Sequence, residues 1–281
     1  MTTAVHQPIT PEARAWISAQ SAAGQPRALL LQALIASGWN EASAVAAICA
    51  VLDGGAATAH PPPTSVPEPL AGTPGTTLVI DDHAVQVLAT LQNPRVIVFG
   101  GLLDDGECDE MVDLARQRLT RSETVQTDTG SSEVNAARTS DGMFFERAEF
   151  PLCARIEARI GALLRWPVEN GEGLQVLRYR AGAEYRPHYD YFDPGQPGTP
   201  ALLRRGGQRV ASLVCYLNTP ARGGATIFPD VGLEVAPVKG NAVFFSYDRP
   251  HPSTKSLHGG APVIEGEKWV ATKWVREGRF E

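Results

Sequence analysis

Two side chains in the segment Tyr179–Pro194 have the types and spacing of metal ligands. The segment reads YRAGAEYRPHYDYFDP and holds His188 and Asp190 with one residue between them. Side chains two positions apart on an extended strand point to the same face, so the imidazole and the carboxylate would be directed at one point. Two histidines and one carboxylate with open coordination positions favour non-haem Fe(II) that activates oxygen, and a second histidine is therefore required. The alternative is a polar strand or turn without a metal.

Two later histidines are candidates for the third ligand. His251 lies between two prolines in a polar segment, which is typical of an exposed loop. His258 lies in SLHGG, where glycines let the backbone approach a crowded site. Ten residues later Lys268 opens the predicted strand KWVATKWV, on which Lys268 and Lys273 point to opposite faces. A buried lysine requires an anionic partner, which a dicarboxylate cosubstrate would supply, whereas a surface lysine on an edge strand is the alternative.

Composition limits the class of protein. The 281 residues are 43% hydrophobic, enough for a sizeable core and for two domains. A net charge of −6 gives no overall basic surface for nucleic acid. No apolar run reaches the roughly 18 residues that cross a bilayer, and no secretory signal is visible at the N-terminus. The four scattered cysteines lie in apolar segments, which predicts free thiols and a reducing compartment. We therefore expect a soluble, cytoplasmic protein without nucleic-acid or membrane partners.

The chain divides into three segments of different composition. Residues 1–55 show helical hydrophobic spacing with Asn40 as a candidate N-cap, which predicts a small helical bundle. Residues 56–93 are rich in proline, which predicts a stiff linker. Residues 94–281 contain two amphipathic helices followed by many short strands with glycine and proline turns. Helices before strands argue against a parallel βαβ sheet, and the pattern favours an α+β domain with a jelly-roll or sandwich core.

Four motifs of this last segment, in order, resemble one enzyme family. They are YRAGAEYRPHYDYFDP, GQRVASLVCYLN, GGATIFPD and SLHGGAPVIEGEKWVATKW. Together they resemble the prolyl 4-hydroxylase catalytic domain, within the iron(II)/2-oxoglutarate-dependent dioxygenases. The resemblance covers about residues 94–278 and implies a double-stranded β-helix (jelly-roll) core flanked by helices. It does not extend to the N-terminal helices, which faintly resemble ubiquitin-associated-like bundles.

The resemblance assigns a metal and a cosubstrate to the site. The implied Fe(II) ligands are His188, Asp190 and His258. Four residues are implied to hold 2-oxoglutarate, with the lysine and the tyrosine at its distal carboxylate: Lys268, Tyr179, Thr226 and Trp274. Core packing is the alternative for the last two. An acidic ligand favours hydroxylation over the related halogenation, in which the carboxylate position is left empty for a halide.

The resemblance also implies the reaction, in which prolyl residues of a peptide or protein are hydroxylated while 2-oxoglutarate and O2 yield succinate and CO2. The positions implied to bind the peptide are Arg138, Ser140, Glu172, Tyr185 and Arg209. Solvated charges and ordinary strand aromatics are the alternatives there. The polar residues 122–142 and the Pro/Gly-rich residues 193–208 are candidate lids. A small-molecule substrate, a non-enzymatic interaction protein that uses the N-terminal bundle, a role for ascorbate and a homodimer stay open.

Overall fold

The structure is a computed structural model that describes residues 9–23, 25–52, 63–70, 75–121, 124–125, 132–133 and 139–281. The chain divides into two compact units, Met1–His60 and Pro61–Glu281. In the described part of the chain, no helix combines the length and the apolar character that a membrane crossing requires.

The first unit contains the helices α1 (Pro11–Ala22), α2 (Arg27–Ala36) and α3 (Glu41–Leu52). Helix α1 follows the N-cap Thr10, whose hydroxyl accepts a hydrogen bond from the N–H of Ala13 at 3.2 Å. Before α3, Asn40 Oδ1 accepts from the N–H of Ser43 at 2.8 Å, so the predicted cap is confirmed. The helices contact one another around six buried apolar side chains: Ile17, Leu30, Leu34, Ala44, Ala47 and Ile48.

Within the described residues, the second unit carries three α-helices and all of the strands. Its helices are α4 (Asp105–Arg116), α5 (Pro151–Leu164) and α6 (Thr199–Leu203). Its strands up to the candidate metal ligands are β1 (Thr77–Ile80), β2 (His83–Leu91), β3 (Arg95–Gly100), β4 (Thr120–Arg121), β5 (Thr124–Val125), β6 (Ser132–Glu133), β7 (Asp141–Phe145), β8 (Leu174–Arg180) and β9 (Tyr185–His188). The later strands are β10 (Arg209–Tyr216), β11 (Arg222–Gly223), β12 (Thr226–Phe228), β13 (Leu233–Val235), β14 (Ala242–Ser246), β15 (His258–Gly260), β16 (Val263–Glu265) and β17 (Glu267–Arg276).

The described strands form one large and one small antiparallel sheet, with two additional two-stranded pairs. The large sheet has the order β1-β2-β3-β14-β10-β17-β8-β7-β4, and the small sheet has the order β13-β12-β15-β9. Strands distant in sequence are neighbours in both sheets, so the pairing is largely non-local. This mixed α/β architecture with a large antiparallel sheet is consistent with a jelly-roll oxygenase fold.

The two faces of the large sheet bury different clusters. One face packs against α4 and α5, where Met111 and Ile156 join sheet residues such as Phe99 in the larger cluster. The opposite face packs against side chains of the small sheet, where Tyr216 and Phe245 join Phe228. The candidate site lies beside this second cluster.

Buried charges fix one helix–helix and one helix–sheet connection. Asp104 and Glu107 form a capping box at the start of α4, and Glu107 also accepts a hydrogen bond from Arg159 of α5 at 2.6 Å. Lys273 of β17 donates to Glu157 of α5 at 2.5 Å, with both side chains buried.

The predicted linker over residues 56–93 is wrong for residues 77–91, which form β1 and β2 in the large sheet. These residues are rich in β-branched side chains, which are typical of strands, whereas the prolines of residues 61–74 favoured an extended linker. Part of the proline-rich stretch also belongs to the second unit, since Glu68 forms an ion pair with Arg95 at 2.6 Å.

Candidate metal centre

Antiparallel pairing of β9 and β15 places His188 directly opposite His258. The pairing requires a very close backbone approach, because a Cβ atom on Gly259 would lie 2.8 Å from the carbonyl oxygen of Tyr185. The glycine beside His258 therefore permits the close backbone approach that the sequence predicted. Asp190 follows the end of β9 by two residues and is 6% exposed.

Three donor atoms converge at this point. His188 Nε2 lies 3.5 Å from Asp190 Oδ1, and His258 Nε2 lies 3.5 Å from Asp190 Oδ2. The ligand atoms of all three residues lie within 4.8 Å of one another. Within the described residues, no other group of three or more His, Cys, Asp or Glu side chains meets this condition. The structure thus brings together the three residues that the sequence singled out.

Hydrogen bonds orient both imidazoles. His188 Nδ1 lies 2.9 Å from the carbonyl oxygen of Arg186, and His258 Nδ1 lies 3.0 Å from that of Ser256. A carbonyl only accepts, so each Nδ1 carries a proton, and each Nε2 is left directed at Asp190. Burial lowers the pKa of His258 to about 4, so its ring is neutral at neutral pH.

The carboxylate of Asp190 is ionised at neutral pH. Burial alone would raise the pKa of Asp190, but the neighbouring His258, His188 and Arg209 together hold it below its usual range. Two imidazoles and one carboxylate on a half-buried face form the donor set expected for non-haem Fe(II). The residues present therefore fit this metal.

His251, the other candidate, lies elsewhere. Its Nδ1 accepts a hydrogen bond from the N–H of Ser253 at 3.0 Å, so the ring caps the short 3-10 helix Pro252–Thr254.

Lys268 is buried, and the described part of the chain provides no counter-ion for it. Its side chain is 4% exposed, and among the described residues no hydrogen-bond acceptor or carboxylate pairs with its ammonium group. Burial lowers its pKa to about 8, so the side chain is still largely protonated at neutral pH. A buried cation of this kind requires an anionic partner, and a dicarboxylate such as 2-oxoglutarate would supply it.

Aromatic side chains surround this ammonium group. Lys268 Nζ lies 5.7 Å from the ring centre of Tyr179 and 5.5 Å from that of Tyr216. The hydroxyl of Tyr216 donates to Thr226 Oγ1 at 2.8 Å, so Thr226 also lies on this side of the sheet. A Cβ atom on Gly224 would lie 3.2 Å from Lys268 Cδ, which shows how closely the loop covers the lysine. The sequence predicted Lys268, Tyr179 and Thr226 for this site, but Tyr216 was missed.

Trp274 lies on the same face of β17 as Lys268 but six residues further along, a distance of about 20 Å. Its backbone pairs with Ser212, whose hydroxyl contacts Asp190, so Trp274 is near the metal end of this face. Its indole stacks on Arg209 at 4.0 Å, and within the described residues its buried Nε1 has no hydrogen-bond partner. Its role at the cosubstrate stays a prediction.

Two of the predicted substrate residues form a buried charge cluster. Glu172 accepts hydrogen bonds from Arg209 at 2.6 Å and from Arg276 at 2.7 Å. Burial raises the pKa of Glu172, but the two guanidinium groups more than offset this and lower it overall. Arg276, which sequence analysis missed, also donates to the carbonyl oxygen of Gly207 at 2.7 Å. The cluster thus connects β17 and β10 with the segment before β10.

The remaining predicted substrate residues are dispersed. Tyr185 is half-buried and stacks on the ring of His188 with a centroid distance of 3.8 Å. Ser140 is buried, and its neighbour Thr139 donates through its hydroxyl to the carbonyl oxygen of Glu184 at 3.0 Å. Arg138 and most of the candidate lid 122–142 lie outside the described residues.

The other candidate lid is closed at its base. The N–H of Phe192 donates to Gln208 Oε1, and Gln208 Nε2 donates to the carbonyl oxygen of Phe192, both at 2.8 Å. One amide side chain therefore joins the two ends of the segment that contains α6.

Two further buried residues are connected to Asp190: Ser212 contacts it directly, and Tyr247 contacts the hydroxyl of Ser212. Ser212 Oγ donates to Asp190 Oδ2 at 2.5 Å, and Ser212 Oγ lies 3.0 Å from the hydroxyl of Tyr247. Sequence analysis missed both. A serine inside the otherwise apolar strand RVASLVCY was the available signal.

Comparisons with known proteins agree with this geometry. Residues 174–276 match the 2OG-Fe(II) oxygenase superfamily. Prolyl 4-hydroxylase 2 of Arabidopsis thaliana is 40% identical over 211 residues, which cover 67% of this chain and 69% of that protein. Prolyl 4-hydroxylase 1 of the same plant is 41% identical over 202 residues, covering 66% and 70%.

One solved structure supports the fold. The viral collagen prolyl hydroxylase of Paramecium Bursaria Chlorella virus-1, in its 2OG complex, superimposes with a TM-score of 0.50 at 28% identity. The match covers 64% of this chain and 95% of the viral chain. The chain described here belongs to the prolyl 4-hydroxylase family of 2OG-Fe(II) oxygenases, and it is an Fe(II)- and 2-oxoglutarate-dependent dioxygenase.

Proposed function

We propose that this enzyme hydroxylates prolyl residues in a peptide or protein and couples this reaction to oxidative decarboxylation of 2-oxoglutarate to succinate and CO2. The observation that carries the proposal is the convergence of two imidazoles and one carboxylate on the sheet face that also buries an unpaired lysine. The names of the similar plant and viral proteins support prolyl substrates.

In this proposal each residue of the site has a distinct task. His188, Asp190 and His258 hold Fe(II), which would supply the chemistry of O2 activation when bound. Lys268 binds the distal carboxylate of 2-oxoglutarate by a charge-assisted hydrogen bond. Tyr179 assists at that carboxylate, while Thr226 and Trp274 line the pocket.

The peptide would bind across the half-exposed side of the metal site. Tyr185 is suited to the entrance because it stacks on His188 and is only half-buried. Arg209 and Glu172 are fixed by their mutual ion pair, so they would present a rigid polar wall to the peptide. Arg138 and Ser140 complete the set that we propose to contact substrate.

The organisation of the chain is part of the proposal. We place a double-stranded β-helix catalytic domain over residues 94–281, with β1 and β2 added before it, and a small helical bundle over residues 1–55. The separate compact unit Met1–His60 supports this division. Three buried free cysteines in the described residues are compatible with a reducing, cytoplasmic environment.

A peptide screen tests the substrate class. Proline-containing peptides and free proline should be incubated with Fe(II), 2-oxoglutarate and O2, and the products measured by mass gain of one oxygen and by succinate. Hydroxylation of peptides with equimolar succinate is expected. Equal or faster turnover of free proline would instead favour a small-molecule substrate.

The two histidine candidates provide a matched pair of variants. His258→Ala should abolish Fe(II) binding and turnover, whereas His251→Ala should leave both unchanged because His251 caps a separate 3-10 helix. Unchanged metal binding in His258→Ala, or absence of 2-oxoglutarate turnover with every peptide, would favour a non-enzymatic interaction protein.

A further inference from the structure

Two buried hydroxyl groups form a chain that leads from Asp190 into the core. Ser212 lies on β10, and Tyr247 immediately follows the neighbouring strand β14. Ser212 is fully buried and Tyr247 is 1% exposed. Hydrogen bonds of 2.5 Å and 3.0 Å join the three side chains, the first between Ser212 and Asp190 and the second between Ser212 and Tyr247.

Chemistry fixes the direction of both hydrogen bonds. An ionised carboxylate has no proton to donate, so Ser212 must donate its single hydroxyl proton to Asp190. Ser212 Oγ then accepts the proton of the Tyr247 hydroxyl. That phenol stays protonated, because burial raises the pKa of Tyr247 well above its usual value and the charge of Asp190 raises it further.

We infer that Ser212 and Tyr247 are positioning residues that hold the carboxylate of Asp190 in the orientation in which it can bind a metal ion together with the two histidines. The inference rests on the metal site proposed above. Asp190 lies beyond the end of β9, so strand pairing does not fix its side chain. The terminal torsion of an aspartate is broad, and a hydrogen bond to one carboxylate oxygen is the kind of contact that restricts it.

The two residues act in series. Tyr247 reaches Asp190 only through Ser212, so its hydroxyl can orient the carboxylate only while the serine is present. A second buried serine, Ser246, provides a matched control: it lies on β14, opposite Ala211 in the strand register, and therefore on the sheet face that packs against α4 and α5.

Metal titration of five variants tests the inference. Without O2 and in the presence of 2-oxoglutarate, Mn(II) binding is measured by calorimetry for Ser212→Ala, Ser212→Thr, Tyr247→Phe, the double variant Ser212→Ala/Tyr247→Phe and Ser246→Ala. Melting temperatures without metal report whether each variant is folded. Ser212→Ala should weaken Mn(II) binding about 10- to 100-fold, as losses of hydrogen-bond partners to metal ligands do. Ser212→Thr should restore most of the affinity, and Ser246→Ala should leave it unchanged.

The double variant distinguishes a series arrangement from two independent packing effects. Tyr247→Phe should weaken Mn(II) binding less than Ser212→Ala, and the double variant should bind as Ser212→Ala does. The inference would be overturned if the losses of Mn(II) affinity in the two single variants added up in the double variant. It would also be overturned if Ser212→Ala and Tyr247→Phe both bound Mn(II) with an affinity within about twofold of that of the wild type. If Ser212→Ala does not fold, unchanged affinity in Tyr247→Phe overturns it and reduced affinity supports it. A wild-type protein that binds no Mn(II) would instead refute the metal site itself.

Discussion

Replacement of Lys268 by methionine should stabilise the unliganded protein and also destroy its affinity for 2-oxoglutarate. The side chain is 4% exposed, and the described residues provide no anion for its ammonium group. Methionine fills a similar volume without the charge. The two effects have opposite signs because a buried ammonium opposes folding until a dicarboxylate binds to it.

The magnitude follows from the pKa of the lysine. Burial lowers it from 10.5 to about 8, and a difference of this size between unfolded and folded states corresponds to about 3 kcal/mol. The unfolded chain binds this proton more tightly, so the contribution of Lys268 to stability increases as the pH rises from about 8 to about 10.5. The advantage of the variant should therefore be largest at neutral pH and disappear at alkaline pH.

Two assays test the predicted gain in stability and the predicted loss of affinity for 2-oxoglutarate. The melting temperature of the metal-free, cosubstrate-free protein should be higher for Lys268→Met at neutral pH. The Michaelis constant for 2-oxoglutarate, measured by succinate release, should rise at least about 30-fold, because loss of one partner of a buried charge pair costs about 2 to 5 kcal/mol. A lower melting temperature, or a Michaelis constant within about threefold of the wild-type value, would refute this reasoning.

Three further outcomes are expected. Lys273 lies on the opposite face of the same strand, and Lys273→Met leaves Glu157 buried without its partner. This variant should therefore lower the free energy of unfolding in urea by about 3 to 5 kcal/mol. It should not change the Michaelis constant for 2-oxoglutarate. For the wild type, kcat/KM for 2-oxoglutarate should fall as the pH rises above about 8, where Lys268 loses its proton; a flat profile would contradict a role for the charge. Burial raises the pKa of the Cys108 thiol to about 11 and also raises that of Cys215. Both thiols should therefore resist thiol reagents in the native protein and react in denaturant. Rapid labelling of the native protein would show that the core opens.

The sequence was sufficient for the features that depend on local periodicity. Strand alternation separated Lys268 from Lys273, and the structure shows this arrangement. His188 and Asp190 also converge as predicted, although Asp190 lies two residues beyond the end of the strand. The glycines after His258 correctly indicated a close backbone approach. These predictions needed only the backbone geometry of a strand and of glycine.

Features that depend on which distant strands pair were not predictable in the same way. Ser212 reaches Asp190, and Tyr247 reaches Ser212, only because β10 lies between β14 and β17. Arg276 joins the Glu172 cluster from the last strand of the chain, 104 residues away in sequence. The prolines before β1 and β2 favoured a linker over residues 56–93, although these two strands extend the edge of the large sheet.

The amide of Gln208 has a consequence for how substrate preference can change in such an enzyme. By bonding to the backbone of Phe192, it holds the two ends of the segment between Phe192 and Gln208 together. Mutations that change the length or the side chains of this segment can therefore accumulate without displacing the neighbouring metal ligands His188 and Asp190. The candidate lid, where changes in substrate preference would arise, and the metal ligands thus occupy different stretches of one chain.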